Sequence, residues 1–166
     1  MSGPEDERPP LPPLRSGDGW VHLDDGRKFW GLEGAAGLML LDPQRGILLQ
    51  HRAMWSAQGG TWGFPGGARD LGEDAVSAAL RESYEEAGVP EDASDIEILA
   101  THVVDLDVWS YTTVIARTRR ALEARVNDPE SLELRWVPID ELEDYPLHPG
   151  VASALPELLQ MLRTHQ

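Results

Sequence analysis

The sequence predicts an α+β fold in which a mixed β-sheet is sandwiched between helices, an α/β/α arrangement. Two observations lead to this fold class. Short apolar runs bounded by Gly, Pro and Asp indicate strands, and these runs both precede and follow one long amphipathic helix. Strands on both sides of a helix in the chain imply a mixed sheet with helices packed against it.

Composition narrows the class of protein. The 166 residues are enough for about one domain, and 29 Asp and Glu against 14 Lys and Arg give a formal charge of −15. So acidic a chain is unsuited to binding a nucleic-acid polymer through its phosphates. The absence of cysteine excludes disulfides, thiolate catalysis and cysteine-based metal sites. Without a secretion signal or an apolar run of membrane-spanning length, we expect a cytoplasmic protein with no membrane partner.

The composition of the first 17 residues predicts a flexible tail. Five of the 13 prolines fall within residues 1–13, mixed with charges and with almost no branched apolar side chains. Such a composition buries too little apolar surface to offset the entropy that is lost on ordering. We therefore expect a tail over residues 1–17 and a single folded domain over residues 18–166.

Two hairpins are predicted next. Residues 20–23 and 28–30 flank an Asp-Asp-Gly turn signal, and residues 37–41 and 47–50 flank the sequence DPQRG. The second pair consists of continuous apolar runs, which are typical of central strands covered on both faces. A loop rich in Gly, Trp and Pro is expected over residues 52–72.

The long helix has signals at both ends. Asp74 is a candidate N-cap, apolar residues recur at helical spacing after it, and Gly88 is a candidate C-cap. Beyond it we expect strands at residues 96–104, 110–116 and 132–137, a helical turn at 140–143 and an amphipathic helix at 151–162. Pro156 should separate the first turn of that last helix from the rest.

Three glutamates share one face of the long helix. At 100° per residue, Glu82, Glu85 and Glu86 lie at about 0°, −60° and +40°, whereas the apolar stripe centres near 115°. Their mutual repulsion costs a few tenths of a kcal/mol per pair, so a merely solvated acidic face remains an alternative at this point. Arg81 stands four residues before Glu85 and can bridge to it.

Two glycines stand just before this helix. Gly66 and Gly67 follow Pro65, and without side chains they can bring a backbone carbonyl close to a bound ion. Mg²⁺ prefers oxygen ligands, commonly a few carboxylates together with substrate phosphates. A loop carbonyl that faces three helical carboxylates would form part of such a site.

From Gly67 onward the chain reads G-x5-E-x7-R-E-S-x-E-E-x-G-V, which resembles the Nudix box. The seven fixed positions are Gly67, Glu73, Arg81, Glu82, Glu85, Glu86 and Gly88. A chance match of all seven has a probability of about 10⁻⁸ per starting point, given ordinary residue usage. Ser83 departs from the bulky aliphatic residue of the pattern, which affects packing rather than chemistry. The resemblance extends over about residues 34–144.

This resemblance implies a metal-dependent hydrolase. Nudix enzymes hydrolyse a nucleoside diphosphate linked to a group X, using Mg²⁺ or Mn²⁺. Carried over by position, Glu82, Glu85, Glu86 and the carbonyl of Gly66 would bind the metal. Metal ions make an anionic diphosphate compatible with an acidic site, because they neutralise charge and lower the pKa of a bound water.

The resemblance also assigns supporting roles. Arg81 would fix the carboxylates by ion pairing, and Glu73 would hold the loop against the helix or act behind the metal ligands. A glutamate would serve as general base, and we expect it to be Glu85 or Glu86.

A further metal ligand and a phosphate contact are implied outside the box. Glu133, just ahead of a strand, resembles an extra carboxylate ligand, and Glu130 is a second candidate. Arg52 resembles an arginine that contacts substrate phosphates in the MutT-like branch, a role that suits the forked guanidinium. An ordinary surface residue remains the alternative for each.

Tryptophans offer a surface for a base. Trp62 and Trp55 lie in or beside the glycine-rich loop and could stack on a nucleobase of the substrate. Packing in the core or along a strand is expected instead for Trp20, Trp30 and Trp136.

The sequence therefore predicts a Mg²⁺-dependent pyrophosphohydrolase that acts on a small nucleotide. Its substrate would be a (deoxy)nucleoside triphosphate or a nucleotide conjugate. A non-catalytic Nudix-like domain that senses a ligand is the alternative. The base, the group X, the bond that is cleaved and the formation of a homodimer are left open.

Overall fold

The computed structural model describes residues 17–54, 58–127, 129 and 131–165. The strands in these residues are β1 (Trp20–His22), β2 (Lys28–Trp30), β3 (Ala35–Asp42), β4 (Gly46–Arg52), β5 (Trp62–Gly63), β6 (Gly66–Ala68), β7 (Ile96–Asp105), β8 (Ser110–Thr118) and β9 (Ser131–Val137). The helices are α1 (Ala75–Ala87), a 3-10 helix (Ile139–Asp144) and α2 (Pro149–Thr164).

The main sheet is mixed, as predicted. Its strand order is β5-β4-β3-β8-β7, with β6 also paired to β3 and β9 paired to β4. β3 and β8 run parallel, whereas the other pairs are antiparallel. All eight residues of β3 are buried, which confirms the prediction of a central strand covered on both faces.

Helices cover both faces of this sheet. Leu38 and Leu40 of β3 pack with the alanines of α1 in one apolar cluster. Met39 and Leu41 pack with Leu155 and other α2 residues in a second cluster. Because successive strand residues point to opposite faces, α1 and α2 lie on opposite sides of the sheet. The predicted α/β/α arrangement is confirmed.

Both predicted caps of α1 are present. The Asp74 carboxylate accepts a hydrogen bond from the Ser77 N–H at 2.7 Å. Gly88 adopts the left-handed conformation at φ 69°, and its N–H bonds to the Tyr84 carbonyl. These caps fix where the helix begins and ends, and so they fix which of its side chains point toward β6.

Two expectations about local structure were wrong. The segment expected to be a loop contains the short strands β5 and β6. Gly66 of β6 stands opposite Gly37, and a Cβ on Gly66 would press on the backbone of β3. A strand built from glycines shows no side-chain periodicity, and the sequence pattern therefore missed it.

The other wrong expectation concerns Pro156. Helix α2 runs through it without a break from Pro149 to Thr164. Pro156 removes one backbone hydrogen bond, but Val151 and Leu155 before it and Leu158 after it are all buried against the sheet. Packing on both sides of the proline therefore keeps the two parts of the helix in line.

The β1–β2 hairpin forms a small separate sheet. Trp20 and Trp30 are 44% and 45% exposed, so they lie outside the core, but they meet edge-on across the two strands with centroids 5.1 Å apart, which is the expected strand packing. The hairpin is attached through Phe29, whose ring stacks on Trp109 with centroids 4.3 Å apart. Trp136 does pack against the α1-side cluster, as expected.

The predicted tail lies outside the described residues, except for Gly17. Gly17 is buried, its carbonyl accepts a hydrogen bond from the Leu32 N–H at 2.6 Å, and a Cβ there would collide with the Arg69 carbonyl. The described helices include none with the length and apolar character needed to cross a bilayer.

Candidate active site

Helix α1 presents its three glutamates to the loop that carries β6. Glu86 is buried at 4% exposure, whereas the side chain of Glu85 is 52% exposed and that of Glu82 is 16% exposed. The carboxylates of Glu82 and Glu86 are close enough to share a hydrogen bond. The structure thus brings together the three residues predicted from helical spacing, in environments that range from the core to solvent.

Arg81 connects these carboxylates to the loop. Its Nε and Nη2 donate to the two carboxylate oxygens of Glu73, each at 2.9 Å. Its Nη1 donates to Glu82 Oε2 at 3.2 Å and to Glu85 Oε1 at 3.3 Å, and Nη2 also donates to the Ala68 carbonyl at 3.0 Å. The Glu73 hydrogen bonds raise the pKa of Arg81 further above its already high value. One permanent cation thus serves three carboxylates by hydrogen bonds, and the Asp70 carboxylate lies 3.8 Å from it.

Glu73 fastens the loop to the helix, as one of its two predicted roles requires. Its carboxylate accepts the Asp70 N–H at 2.9 Å, and its carbonyl accepts two hydrogen bonds from the Arg69 guanidinium at 3.0 and 2.8 Å. The Arg81 hydrogen bonds hold the pKa of Glu73 below its ordinary value. Glu73 therefore remains ionised and keeps residues 69–73 in place.

Glu82 lies against Gly67. A Cβ built on Gly67 would approach the Glu82 carboxylate carbon to 2.6 Å, so any larger residue here would force the carboxylate to move. Burial raises the pKa of Glu82 to about 7, and the charge of Glu85 adds to this rise, although Arg81 opposes it. The cluster therefore holds more negative charge than its arginine compensates.

Glu86 is held by donors that are uncharged. Its Oε1 accepts the side-chain amide of Gln50 at 2.8 Å and the Gly66 N–H at 3.3 Å. Sequence reasoning did not identify Gln50. The signal was present, because Gln50 follows Leu48 by two residues on β4 and strand alternation points both to the α1 side.

The donor set suits a divalent cation. Carboxylate oxygens and a backbone carbonyl are the hard ligands that Mg²⁺ prefers. Among the described residues, no three His, Asp or Glu side chains are already arranged around a common point as metal ligands. The contacts explain this: Arg81 binds Glu82 and Glu85, whereas Gln50 binds Glu86. A cation would compete with Arg81 for the first two carboxylates.

Arg52 lies at the end of β4, near other polar groups. Its charge acts on the Tyr111 hydroxyl and on His148. The Tyr111 hydroxyl occupies the space that a Cβ on Gly37 would fill, and burial raises the pKa of Tyr111 to about 12. Burial, followed by the charge of Arg52, lowers the pKa of His148. The charge of Glu86 also acts on Tyr111 and adds to the rise in its pKa.

Trp62 belongs to the core. It is 6% exposed, the His51 ring stacks on it with centroids 4.4 Å apart, and Tyr145 meets it edge-on at 5.2 Å. Arg135 also lies 5.1 Å from its ring centre. The predicted stacking of a base on Trp62 is therefore not supported by its position. Trp55, the other tryptophan predicted to stack, lies outside the described residues.

Glu133 is not brought to the cluster. Along β9, Leu134 and Trp136 pack toward α1, so Glu133 points to the opposite side of the sheet. There its carboxylate accepts two hydrogen bonds from Arg135, at 3.0 and 2.6 Å. Its position therefore does not support the predicted role as an extra metal ligand. Glu130, the second candidate, lies outside the described residues.

Comparisons with known proteins identify the family of this chain. The family profile of the NUDIX domain matches residues 31–158. A protein of Mycobacterium tuberculosis named "Putative 8-oxo-dGTP diphosphatase 3" is 48% identical over 172 residues, which cover 94% of this chain and 76% of that protein. A Bifidobacterium longum protein named "Nucleoside triphosphate pyrophosphatase/Nudix hydrolase fusion protein" is 47% identical over 80% of this chain and 30% of its own length.

Solved structures show the same relationship. The chain is similar to the Nudix hydrolase RenU from M. smegmatis, with 44% identity and a TM-score of 0.80 over 90% of this chain and 98% of RenU. The profile match spans most of the chain, and the M. tuberculosis and M. smegmatis relatives are both more than 40% identical to it. The chain therefore belongs to the Nudix hydrolase family.

Proposed function

We propose that this protein is a Mg²⁺- or Mn²⁺-dependent pyrophosphohydrolase that cleaves a diphosphate linkage in a small nucleotide. The observation that carries the proposal is the excess of carboxylates on α1. Glu82, Glu85 and Glu86 converge beside a glycine loop, and Arg81 is the charged partner of two of them. Because these carboxylates carry more negative charge than Arg81 compensates, the site favours binding of a divalent cation.

The substrate that we propose is a (deoxy)nucleoside triphosphate, and 8-oxo-dGTP is the first compound to test. The Mycobacterium tuberculosis relative is named for 8-oxo-dGTP and is 48% identical to this chain. The Bifidobacterium longum relative is named for both a nucleoside triphosphate pyrophosphatase and a Nudix hydrolase. A nucleotide conjugate remains the second substrate class.

Glu82, Glu85, Glu86 and the Gly66 carbonyl would hold the metal. When bound, the ion supplies charge neutralisation and a water of lowered pKa. Arg81 keeps Glu82 and Glu85 in position, and Glu73 keeps the loop in position. Of the two candidates for the general base, we favour Glu85, because its exposed side chain can reach water whereas Glu86 is buried.

Arg52 is proposed to bind a substrate phosphate. It lies at the end of β4, within electrostatic range of Tyr111, and Tyr111 in turn is within range of Glu86. A guanidinium there would face phosphate oxygens that also contact the metal, and its forked donors suit them. All seven fixed residues of the box are present, which favours an enzyme over a ligand-sensing domain.

The first experiment compares two glutamate variants. Glu86→Gln should lower kcat/KM for Mg²⁺-dependent hydrolysis by at least about a hundredfold, if the carboxylate contributes about 3 kcal/mol at the transition state. Glu97→Gln is the matched control, because Glu97 lies outside the cluster and pairs with Arg117 at 2.7 Å. The kcat/KM of this variant should stay within about twofold of that of the parent. Unchanged turnover in Glu86→Gln would refute the proposed site.

The products then identify the substrate class. Nucleoside triphosphates, oxidised purine triphosphates, sugar nucleotides and ADP-ribose are supplied with Mg²⁺, and the products are separated by chromatography. Inorganic pyrophosphate released from a triphosphate supports the proposed substrate. Two monophosphates released from ADP-ribose, with no turnover of any triphosphate, would contradict it.

A further inference from the structure

Behind Glu86 lies a buried pair of polar side chains outside the Nudix box. Gln50 on β4 is 2% exposed and Ser131 on β9 is 6% exposed. The Gln50 amide nitrogen donates to Glu86 Oε1 at 2.8 Å and to the Ser131 hydroxyl oxygen at 2.6 Å. A chain of hydrogen bonds therefore connects a glutamate of α1 to the edge of the sheet.

An irregularity in the sheet places Ser131 beside this amide. The register of β4 against β9 shifts between His51 and Arg52, so that Ser131 rather than Leu132 stands opposite Arg52. Bulges of this kind re-aim a side chain without breaking the strand. The shift brings a hydroxyl to the amide that holds Glu86.

The orientation of the Gln50 amide is informative. Its nitrogen makes two hydrogen bonds, whereas its buried Oε1 has no hydrogen-bond partner among the described residues. A buried acceptor left unpaired is unfavourable. The amide therefore adopts this orientation because both of its N–H groups are needed, one toward Glu86 and one toward Ser131.

Both donors on Glu86 Oε1 are uncharged. A lysine or arginine at position 50 could also fix the carboxylate, but it would neutralise the charge that a cation requires. The Gln50 amide and the Gly66 N–H fix the carboxylate and add no charge of their own.

We propose that Gln50, supported by Ser131, is a positioning residue that holds the Glu86 carboxylate in the orientation needed to bind the divalent cation. This inference rests on the proposed function. Gln50 acts through Glu86 and is not itself a ligand. Its removal should therefore weaken metal binding and turnover more than substrate binding.

The test titrates metal-free protein with Mn²⁺ alone, by calorimetry or electron paramagnetic resonance, and measures kcat and KM separately. Gln50→Leu keeps the side-chain size and removes both donors. Its Kd for Mn²⁺ should rise about tenfold or more and kcat should fall by a similar factor, with a smaller change in KM. Ser131→Ala removes only the support and should change Kd and kcat in the same direction, by about threefold.

Thr118→Val is the matched control, because Thr118 is a buried hydroxyl residue on β8 at the other end of the sheet. It should change Tm without moving Kd or kcat beyond about twofold. Folded Gln50→Leu and Ser131→Ala proteins with parental Kd and kcat would overturn the inference. If Gln50→Leu does not fold, Ser131→Ala decides the question by the same criteria.

A separate measurement distinguishes this failure from failure of the proposed function. If the parent binds Mn²⁺ and Glu86→Gln loses that binding, the metal site stands, and parental values in the Gln50 and Ser131 variants refute the positioning role alone. If the parent itself does not bind Mn²⁺, both proposals fail.

Discussion

The two ends of the sheet treat acidic side chains differently. At the end where β3 finishes, each of three acids has its own arginine: Asp42 with Arg45 at 2.9 Å, Glu97 with Arg117 at 2.7 Å and Asp95 with Arg120 at 2.6 Å. At the end where β3 begins, Arg81 is shared by Glu73, Glu82 and Glu85.

The pKa values of the acids show the consequence of having one arginine each or sharing one. Burial alone would raise the pKa of Asp42, but hydrogen bonds from the Gln44 N–H and from Arg45 bring it below its ordinary value. Burial raises the pKa of Glu82 to about 7, because the shared Arg81 cannot offset both burial and the charge of Glu85. Acids with their own arginine therefore stay ionised, whereas the acids that share Arg81 carry the surplus charge on which the proposed cation site depends.

Replacing the shared arginine should have the largest effect on stability. Arg81→Met should lower the free energy of unfolding by about 3 kcal/mol without divalent ions, because it leaves partly buried carboxylates uncompensated. Arg117→Met removes a surface pair and should cost less than about a third of that amount. Urea denaturation at neutral pH measures the free energy of unfolding of both variants. Equal losses would contradict the idea that Arg81 matters more because several carboxylates share it.

The second largest effect should be seen in how stability depends on pH, because the pKa of Glu82 is raised. A carboxylate whose folded pKa is raised stabilises the fold fully below its unfolded pKa, near 4.5, and this contribution is lost as pH rises toward 7. Glu82→Gln should therefore gain about 2 kcal/mol relative to the parent between pH 5 and pH 7.5 in metal-free buffer.

Millimolar Mg²⁺ provides the control for this prediction. At the proposed site the ion would bind the ionised carboxylates, and it should then remove most of the advantage of Glu82→Gln at pH 7.5. Parallel stability curves for the parent and the variant would show that Glu82 titrates at its ordinary pKa.

The smallest change in stability is expected for a substitution on the buried side of α1. Ser83 is fully buried and its hydroxyl has no partner among the described residues. Ser83→Ala should raise the free energy of unfolding by about 0.5–1 kcal/mol, since it removes an unpaired group and improves helix propensity. Thermal denaturation measures the change, and kcat should remain near that of the parent. A loss of stability would mean that the hydroxyl has a partner in solution.

The part of the site that could be predicted from the sequence consists of residues that lie close together along the chain. Arg81 and the three glutamates lie within one helix, so helical periodicity and the caps at Asp74 and Gly88 were enough to place them, whereas Glu73 in the preceding loop was predicted from the resemblance to the Nudix box. The Arg81–Glu85 bridge follows from the same spacing and is present at 3.3 Å. Contacts within one element can be derived without knowledge of the sheet.

Residues from other strands could not be placed in this way. Gln50 reaches Glu86 from β4, and Ser131 reaches Gln50 only because of a register shift that no pattern in the sequence reports. Glu133 was assigned to the metal site from its place ahead of a strand, but the face to which it points depends on strand register. Trp62 was assigned to a pocket wall, and its neighbours His51 and Tyr145 come from elsewhere in the fold.

The burial of Gly17 has a consequence for the handling of this protein. Gly17 packs on the backbone of Arg69, whose guanidinium holds the Glu73 carbonyl. A truncation that removes Gly17 therefore acts on the chain next to the loop that Glu73 holds against α1. Shortened proteins for assays of the proposed metal site should keep Gly17.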